Sequence, residues 1–163
     1  MENAYHVGMA DLVVVSSPAK LVTLGLGSCI GMVIFDSTAK IAGMAHIMLP
    51  DSQGSKGSEK IGKFADVAVP AVIDEMIKKG ALKGRMKAKI AGGAQMFSLP
   101  GTPTDFLAVG SRNIKETTVM LAKLGIPLVA SDTGGNKGRT VEFSTITWML
   151  SIKTLGKKEI AEI

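Results

Sequence analysis

The only cysteine and one of the two histidines lie in glycine-rich segments that could support nucleophilic chemistry. Cys29 ends the segment Thr-Leu-Gly-Leu-Gly-Ser-Cys, which begins at Thr23, and His46 lies in Gly-Met-Ala-His-Ile-Met-Leu-Pro, residues 43–50. A free thiol has a pKa of about 8.5, so at neutral pH it is mostly protonated and a weak nucleophile. An adjacent imidazole can take its proton and stabilise the thiolate as an ion pair. The residue types therefore predict a nucleophile, Cys29, activated by His46.

The spacing of these two residues fits a β-hairpin. The apolar runs 29–35 and 40–49 are separated by Asp-Ser-Thr-Ala at 36–39, which is typical of a turn. If the loop has two residues, Cys29 lies opposite His46, with Cβ atoms about 5 Å apart. A slip of one residue would place the two side chains on opposite faces. The predicted juxtaposition therefore depends on the loop length.

Further positions near the cysteine have predicted supporting roles. A histidine base is oriented by a hydrogen bond to its second ring nitrogen, and the hydroxyl of Thr23 is the candidate partner. This hydroxyl carries no charge, so it would stabilise an imidazolium less than an aspartate would. The Gly-Leu-Gly turn allows a sharp change of chain direction. We therefore predict an oxyanion hole formed by the N–H groups of Ser28 and Cys29, with Gly27 as a further substrate-binding position.

Each of these residues also has a purely structural interpretation. A lone cysteine such as Cys29 is most often a small buried hydrophobic side chain. A histidine in an apolar run, like His46, is by default a core residue, and Thr23 has ordinary β propensity.

A second glycine-rich segment, Asp-Thr-Gly-Gly-Asn-Lys-Gly-Arg at 132–139, also has two interpretations. Its backbone N–H groups, with Lys137 or Arg139, could bind an anion. The segment lacks the spacing of a phosphate-binding loop. A plain connection between strands is therefore the favoured interpretation.

The elements that must position these residues are strands followed by alternating helices and strands. Apolar patterns predict strands at 12–15, 20–24, 29–35, 40–49, 86–91, 128–131, 140–144 and 147–152. The strand pair 29–35 and 40–49 is apolar on both faces, so both faces must be covered by other parts of the protein. The order predicts an α+β fold, an α/β layered sandwich with largely antiparallel sheets and helices packed against them.

Two helices are predicted from apolar residues that recur every three or four positions. The first runs from about Phe64 to Lys79, and Pro70 within it predicts a kink or a late helix start. The second is expected from Asn113 to Leu124. Asn113 with Glu116 three residues later forms a capping-box pattern, so Asn113 is the predicted N-cap.

Length and charge restrict the class of protein. The chain has 163 residues, 46% of them hydrophobic, so we expect one domain spanning 1–163. The net charge of +5 is compatible with an acidic protein partner. Zinc-ligand spacing, aromatic-studded basic strands and long basic runs are all missing from the sequence, so we expect no nucleic-acid binding.

The sequence also lacks the features of an exported or membrane-inserted chain. No apolar segment reaches the roughly 18 to 20 residues that a bilayer span requires. The first ten residues lack a signal-peptide layout, and a single cysteine excludes an internal disulfide. We therefore expect a cytoplasmic protein without membrane insertion.

Taken together, the motifs resemble the chemoreceptor glutamine deamidase family, CheD, from about His6 to Leu150. The resemblance rests on Thr-x-Gly-Leu-Gly-Ser-Cys at 23–29, Gly-x-Ala-His-x-Met-Leu-Pro at 43–50, Lys-Phe-Ala-Asp at 63–66, Ala-Gly-Gly-Ala-x-Met-Phe at 91–97, Arg-Asn at 112–113 and Thr-Gly-Gly-x-x-Gly-Arg at 133–139. It implies that the family's catalytic cysteine, histidine and threonine correspond to Cys29, His46 and Thr23.

The resemblance implies an activity and partners that the residues alone do not. The expected reaction converts selected glutamines of methyl-accepting chemotaxis receptors to glutamates and releases ammonia, without a metal or cofactor. A CheC-type phosphatase is a second expected partner, which the protein would bind and stimulate, and the free protein is expected to be a monomer. Two alternatives remain open: a non-catalytic adaptor of the phosphatase and receptors, and a cysteine peptidase.

Overall fold

The computed structural model describes residues 2–55, 57, 60–95 and 108–163. In these ranges the chain forms two α-helices, α1 (Ala65–Lys78) and α2 (Val109–Lys123), and one 3₁₀ turn (Lys83–Arg85). The strands are β1 (Asn3–His6), β2 (Leu12–Ser16), β3 (Ala19–Leu26), β4 (Ile30–Asp36), β5 (Ile41–Ile47), β6 (Lys87–Gly92), β7 (Leu128–Thr133), β8 (Arg139–Ser144), β9 (Leu150–Thr154) and β10 (Ile160–Glu162). Neither of these helices is long and apolar enough to cross a bilayer.

The strands form two five-stranded sheets. The central sheet has the order β2-β5-β4-β6-β7, and the outer sheet has the order β1-β3-β8-β9-β10. One pair in each sheet is parallel, β6 with β7 and β1 with β3. The other pairs among the described strands are antiparallel. The predicted α+β fold with largely antiparallel sheets is confirmed, although each sheet is mixed.

The central sheet is buried on both faces, as its apolar strands predict. All residues of β4 and β5 are buried. Because side chains alternate along a strand, Ile30, Met32 and Ile34 pack with the buried face of α1, whereas Val33 and Phe35 pack with residues of the outer sheet. The molecule is thus a layered sandwich in which helices, central sheet and outer sheet follow one another.

The hairpin of β4 and β5 has a different register from the one predicted. Its loop contains four residues, 37–40, so Asp36 pairs with Ile41 and Gly31 pairs with His46. The carboxylate of Asp36 accepts hydrogen bonds from the N–H groups of residues 38 and 39, which stabilises this wider turn. The prediction that Cys29 lies directly opposite His46 is therefore wrong. The shift amounts to two residues, and it keeps both side chains on one face.

The helix starts also differ from the predictions. The helix α2 begins at Val109, and Asn113 is completely buried inside it, so the predicted N-cap at Asn113 is wrong. The earlier start brings Gly110 against the backbone of Ala94, where a Cβ atom would lie only 2.5 Å from the Ala94 oxygen. The helix α1 begins at Ala65 and contains Pro70, so the late-start alternative is wrong as well.

Two edge strands at the ends of the described chain were not predicted. β1 pairs in parallel with β3, and β10 pairs with β9. Both strands are short and exposed along their length, so they lack the alternation of polar and apolar residues that identifies a half-buried strand. Their pairing depends on neighbours that are distant in the sequence.

Candidate active site

The two sheets bring Thr23 and His46 together in the interior. Thr23 lies on β3 of the outer sheet and His46 on β5 of the central sheet, and each side chain is only 1% exposed. The Thr23 hydroxyl oxygen lies 2.8 Å from Nδ1 of His46. The same hydroxyl donates a hydrogen bond of 2.6 Å to the carbonyl of Val7. The predicted contact between Thr23 and the histidine is therefore present in the structure.

These two hydrogen bonds determine which imidazole nitrogen carries the proton. A hydroxyl has one hydrogen, and the hydroxyl of Thr23 donates it to Val7. Its bond with His46 must then be donated by the Nδ1–H group of the ring. In the neutral ring Nε2 is left with a free lone pair, and this buried atom has no hydrogen-bond partner in the described part of the chain. In this tautomer Nε2 of His46 can accept a proton.

Cys29 lies on the same side of the central sheet as this histidine. It directly precedes β4, two residues before Gly31, which is the cross-strand partner of His46. Residues two apart on a strand share a face, and Cys29 packs on the core between the two sheets. Its position relative to His46 is diagonal, a relation in which neighbouring residues are roughly 7–8 Å apart.

A glycine at position 31 lets the sheets approach each other at this point. A Cβ atom there would lie 3.0 Å from Leu26 Cδ1 and 3.4 Å from Thr23 Cγ2. A larger side chain would have to push β3 away from β4 and β5. Gly31 therefore contributes to the short distance between Thr23 and His46.

Burial favours the uncharged forms of both the thiol and the imidazole. Burial raises the pKa of the Cys29 thiol above its ordinary value. Burial lowers the pKa of His46, and the negative charge of Asp11 offsets this only in part. Both shifts follow from burial and favour the uncharged forms over the expected ion pair. The thiolate–imidazolium pair remains a prediction.

Residues 27–29, here called the nucleophile loop, are held through their carbonyl groups. The carbonyl of Gly27 accepts a hydrogen bond of 2.8 Å from the Ala94 N–H, and that of Cys29 accepts one of 2.9 Å from Gly93. The carbonyl of Ser28 accepts a bond of 2.9 Å from the side-chain amide of Asn113. In contrast, the N–H groups of the loop donate to no described residue. The role of these N–H groups as an oxyanion hole remains a prediction.

Close backbone contact beside the loop requires glycine at position 92. Gly92 has a φ of +110°, and a Cβ atom there would lie 2.2 Å from the carbonyl oxygen of Cys29. The Gly-Gly sequence at 92–93 could have indicated this contact from the sequence. The motif continues to residues 96 and 97, which lie outside the described ranges.

Arg139 supports the same region. Its side chain is 7% exposed, and its guanidinium lies 3.2 Å from Asp132 and donates a bond of 2.9 Å to the carbonyl of Gly134. The N–H of Gly134 in turn donates to the carbonyl of Gly92. The segment 132–139 thus connects β7 to β8 and is braced by Arg139. The alternative of anion binding stays an untested prediction.

A small cavity of about 140 Å³ opens beside His46. It is lined by the imidazole and by exposed apolar side chains, including Met9 and Leu24, which are 62% and 57% exposed. A larger groove of about 570 Å³ between β2 and α1 includes none of the three candidate residues. In the described ranges no three His, Cys, Asp or Glu side chains form a cluster that could hold a metal ion.

Comparison with known proteins identifies the family. The family model described as CheD chemotactic sensory transduction matches residues 48–154. The "Probable chemoreceptor glutamine deamidase CheD" of Clostridium novyi is 49% identical over 151 residues, which cover 93% of each chain. The "Chemoreceptor glutamine deamidase CheD" of Halalkalibacterium halodurans is 47% identical over 163 residues, covering 98% of this chain and all of that one.

Similarity to solved structures is more distant. The crystal structure of protein NMB0706 from Neisseria meningitidis matches with a TM-score of 0.48 and 10% identity, covering 83% of this chain and 65% of that chain. This likeness is too weak to bear on function. The family model and the relatives span most of the sequence, and on these grounds the chain belongs to the CheD family.

Proposed function

We propose that this protein is a hydrolase that converts glutamine side chains of methyl-accepting chemotaxis receptors to glutamates and releases ammonia. The observation that carries the proposal is the bond between Thr23 and Nδ1 of His46, which leaves Nε2 unpaired on the face that carries Cys29. The relatives named chemoreceptor glutamine deamidase supply the substrate class.

The proposed reaction begins with the neutral pair. Nε2 of His46 takes the proton of the Cys29 thiol as the sulfur attacks the carbonyl carbon of the glutamine side chain. The carbonyl π electrons move to oxygen and form a tetrahedral oxyanion. The imidazolium then donates its proton to the departing nitrogen, ammonia leaves, and a γ-glutamyl thioester remains.

Hydrolysis of the thioester completes the cycle. His46 takes a proton from water, and the resulting hydroxide attacks the thioester carbonyl. The carbon–sulfur bond breaks, the sulfur recovers the proton from the imidazolium, and glutamate is released. The buried hydroxyl of Thr23 keeps the ring in one orientation through both halves of the reaction.

Each half of the reaction passes through an oxyanion that needs hydrogen-bond donors. We assign this role to the N–H groups of Ser28 and Cys29, with the backbone of Gly27 as a further substrate contact. These N–H groups donate to no described residue, and the carbonyls of the loop are bonded on the other side. Removal of one such donor costs about 10²- to 10³-fold in kcat.

The surface around the site suits the proposed partners. The exposed side chains of Met9 and Leu24 beside His46 provide apolar contacts for a receptor segment. Receptor modification sites lie on helices rich in Glu and Gln, as the family resemblance implies, and the net charge of +5 favours their encounter. We further propose a cytoplasmic, monomeric, single-domain protein that also binds a CheC-type phosphatase and does not bind nucleic acid.

The proposal is tested on purified receptor cytoplasmic fragments. Ammonia release and mass mapping of Gln-to-Glu conversion are compared for the unchanged protein, Cys29→Ala and His46→Gln. We expect conversion at specific glutamines that is lost in both variants. Absence of conversion on every cognate receptor, with the protein folded and its thiol reduced, would contradict the proposed activity.

One observation favours the alternative role as a non-catalytic adaptor. Nε2 of His46 has no hydrogen bond to the sulfur of Cys29. Deamidation, measured beside stimulation of the phosphatase, distinguishes the two roles. A non-catalytic adaptor deamidates no receptor, and it retains all of its functions in Cys29→Ala. For an enzyme with both roles, Cys29→Ala should retain stimulation and lose deamidation.

A further inference from the structure

Asn113 connects the two segments that carry the candidate nucleophile and base. Its side chain is completely buried on α2. The amide nitrogen donates a bond of 2.9 Å to the carbonyl of Ser28 and one of 3.0 Å to the carbonyl of Met48. Ser28 directly precedes Cys29, and Met48 follows His46 by two residues. One side chain therefore holds both halves of the site.

The chemistry of its neighbours determines the orientation of this amide. Both neighbouring groups are carbonyl oxygens, which accept hydrogen bonds only. Only the NH₂ group of Asn113, with its two hydrogens, can pair with both of them. A rotated amide would place its oxygen against two oxygens and lose both bonds, so the orientation is strongly determined.

The bond to Ser28 also fixes the direction of the next N–H group. A trans peptide is planar, and its C=O and N–H groups point in opposite directions. With the carbonyl of Ser28 held towards Asn113, the N–H of Cys29 points away from α2. It donates to no described residue, and the neighbouring carbonyls of Gly27 and Cys29 are held as well. The peptide unit between Ser28 and Cys29 is thus braced on its carbonyl side.

We propose that Asn113 is a positioning residue that aims the Cys29 N–H at the oxyanion of the reaction. This inference rests on the deamidase function proposed above and assigns to Asn113 no contact with the substrate. It predicts that loss of the amide selectively slows steps that pass through an oxyanion. Reactions of the Cys29 thiol that form no oxyanion should be unaffected.

The test compares two reactions of the same thiol in Asn113→Leu, which keeps a similar volume without the donor. Deamidation of a receptor fragment passes through an oxyanion, whereas alkylation by iodoacetamide is a displacement at a saturated carbon. We expect kcat for deamidation to fall about 10- to 100-fold, with KM and the alkylation rate within about twofold of the unchanged protein.

Thr117→Val is the matched control. Thr117 lies one turn further along α2, is equally buried, and its hydroxyl has no hydrogen-bond partner among the described residues. Its substitution changes a buried polar side chain of the same helix without removing a hydrogen bond to the nucleophile loop. We expect both rates to be unchanged in this variant.

The outcomes separate failure of this inference from failure of the proposed function. If the unchanged protein does not deamidate, the proposed function fails, and with it the inference. If it deamidates and Asn113→Leu does so equally well, or if alkylation and deamidation fall together, the inference alone is overturned.

A second variant tests the inference if Asn113→Leu fails to fold. Asn113→Asp keeps the shape of the side chain, but even a protonated carboxyl group can hold only one of the two carbonyls. A folded Asn113→Asp should show the same selective loss of deamidation to a smaller extent. If neither variant unfolds cooperatively, Asn113 is required for folding and the proposed positioning role is wrong.

Discussion

The hydroxyl of Thr23 accepts a hydrogen bond from Nδ1 of His46 and donates its own hydrogen to the carbonyl of Val7. This arrangement orients the imidazole with neutral groups only. A carboxylate in the same place would also stabilise the imidazolium. Its absence among the described bonding partners of His46 agrees with the lowered pKa of that residue, which burial causes.

Substitution of Thr23 by valine should impair the base without unfolding the protein. The variant keeps the shape of the side chain but leaves the ring N–H and the carbonyl of Val7 unpaired. We expect kcat for deamidation to fall on the order of 10- to 100-fold. The free energy of unfolding should decrease by about 1–3 kcal/mol, measured by urea denaturation.

Two further variants test the cause of this effect. Thr23→Ser retains the hydroxyl and should restore most of the activity. Thr140→Val removes a hydroxyl from the neighbouring strand β8 and should leave the rate unchanged. Equal activity of Thr23→Val and Thr140→Val would exclude an orienting role for Thr23.

The tautomer of His46 can be observed directly. The hydrogen bonds of Thr23 require the proton on Nδ1 in the neutral ring. In ¹⁵N-labelled protein near pH 8, NMR spectra should show Nδ1 as the protonated nitrogen of His46. The Thr23→Val variant should lose this preference. A ring of the unchanged protein protonated on Nε2 would be incompatible with His46 as the acceptor of the thiol proton.

The reaction should depend on pH as expected for a neutral thiol and a weakly basic imidazole. The pKa of His46 is lowered, so the imidazole remains unprotonated to lower pH than usual. As the pH is decreased, kcat/KM should therefore fall with a midpoint below about pH 6.5. The pKa of Cys29 is raised, so alkylation by iodoacetamide should accelerate only above about pH 8.5. Rapid alkylation that is constant below pH 7 would instead indicate a thiolate–imidazolium pair.

Two glycines with positive φ should differ sharply in their tolerance of alanine. At Gly92 a Cβ atom would lie 2.2 Å from the carbonyl oxygen of Cys29, whereas at Gly134 it would meet nothing within 4 Å. Gly134→Ala should decrease the free energy of unfolding by about 1–2 kcal/mol, because alanine disfavours the positive φ at this position. Gly92→Ala should decrease the free energy of unfolding by more than about 4 kcal/mol and abolish deamidation. If urea denaturation shows equal decreases in the free energy of unfolding for the two variants, the carbonyl of Cys29 does not exclude a side chain at position 92.

The hairpin illustrates which features could be predicted from the sequence. Continuous apolar runs predicted two strands buried on both faces, and β4 and β5 are such strands. Their register could not be predicted from the turn residues alone, because the Asp36 carboxylate that accepts the N–H groups of the turn is also held by distant residues. Its carboxylate binds the Arg85 side chain and the N–H of Leu82, far along the chain. Local turn propensity contains no information about these partners.

Asn113 illustrates the same limit within a helix. Its sequence context matches a capping box, and local preference alone places it at a helix start. In the folded protein the amide instead binds the carbonyls of Ser28 and Met48. A buried amide is strongly stabilised by partners from other segments, and this tertiary contact overrides the capping preference.

The sequence by itself determined the α+β class, most of the strands and the three side chains Thr23, Cys29 and His46 as a candidate site. These features follow from residue type, periodicity and glycine-rich motifs, which are local properties of the chain. Tertiary structure decided the register, the diagonal placement of Cys29 and His46, and the burial that shifts both of their pKa values. Loop closure, burial and the supply of hydrogen-bond partners depend on segments far apart in the sequence, and these determine both geometry and pKa.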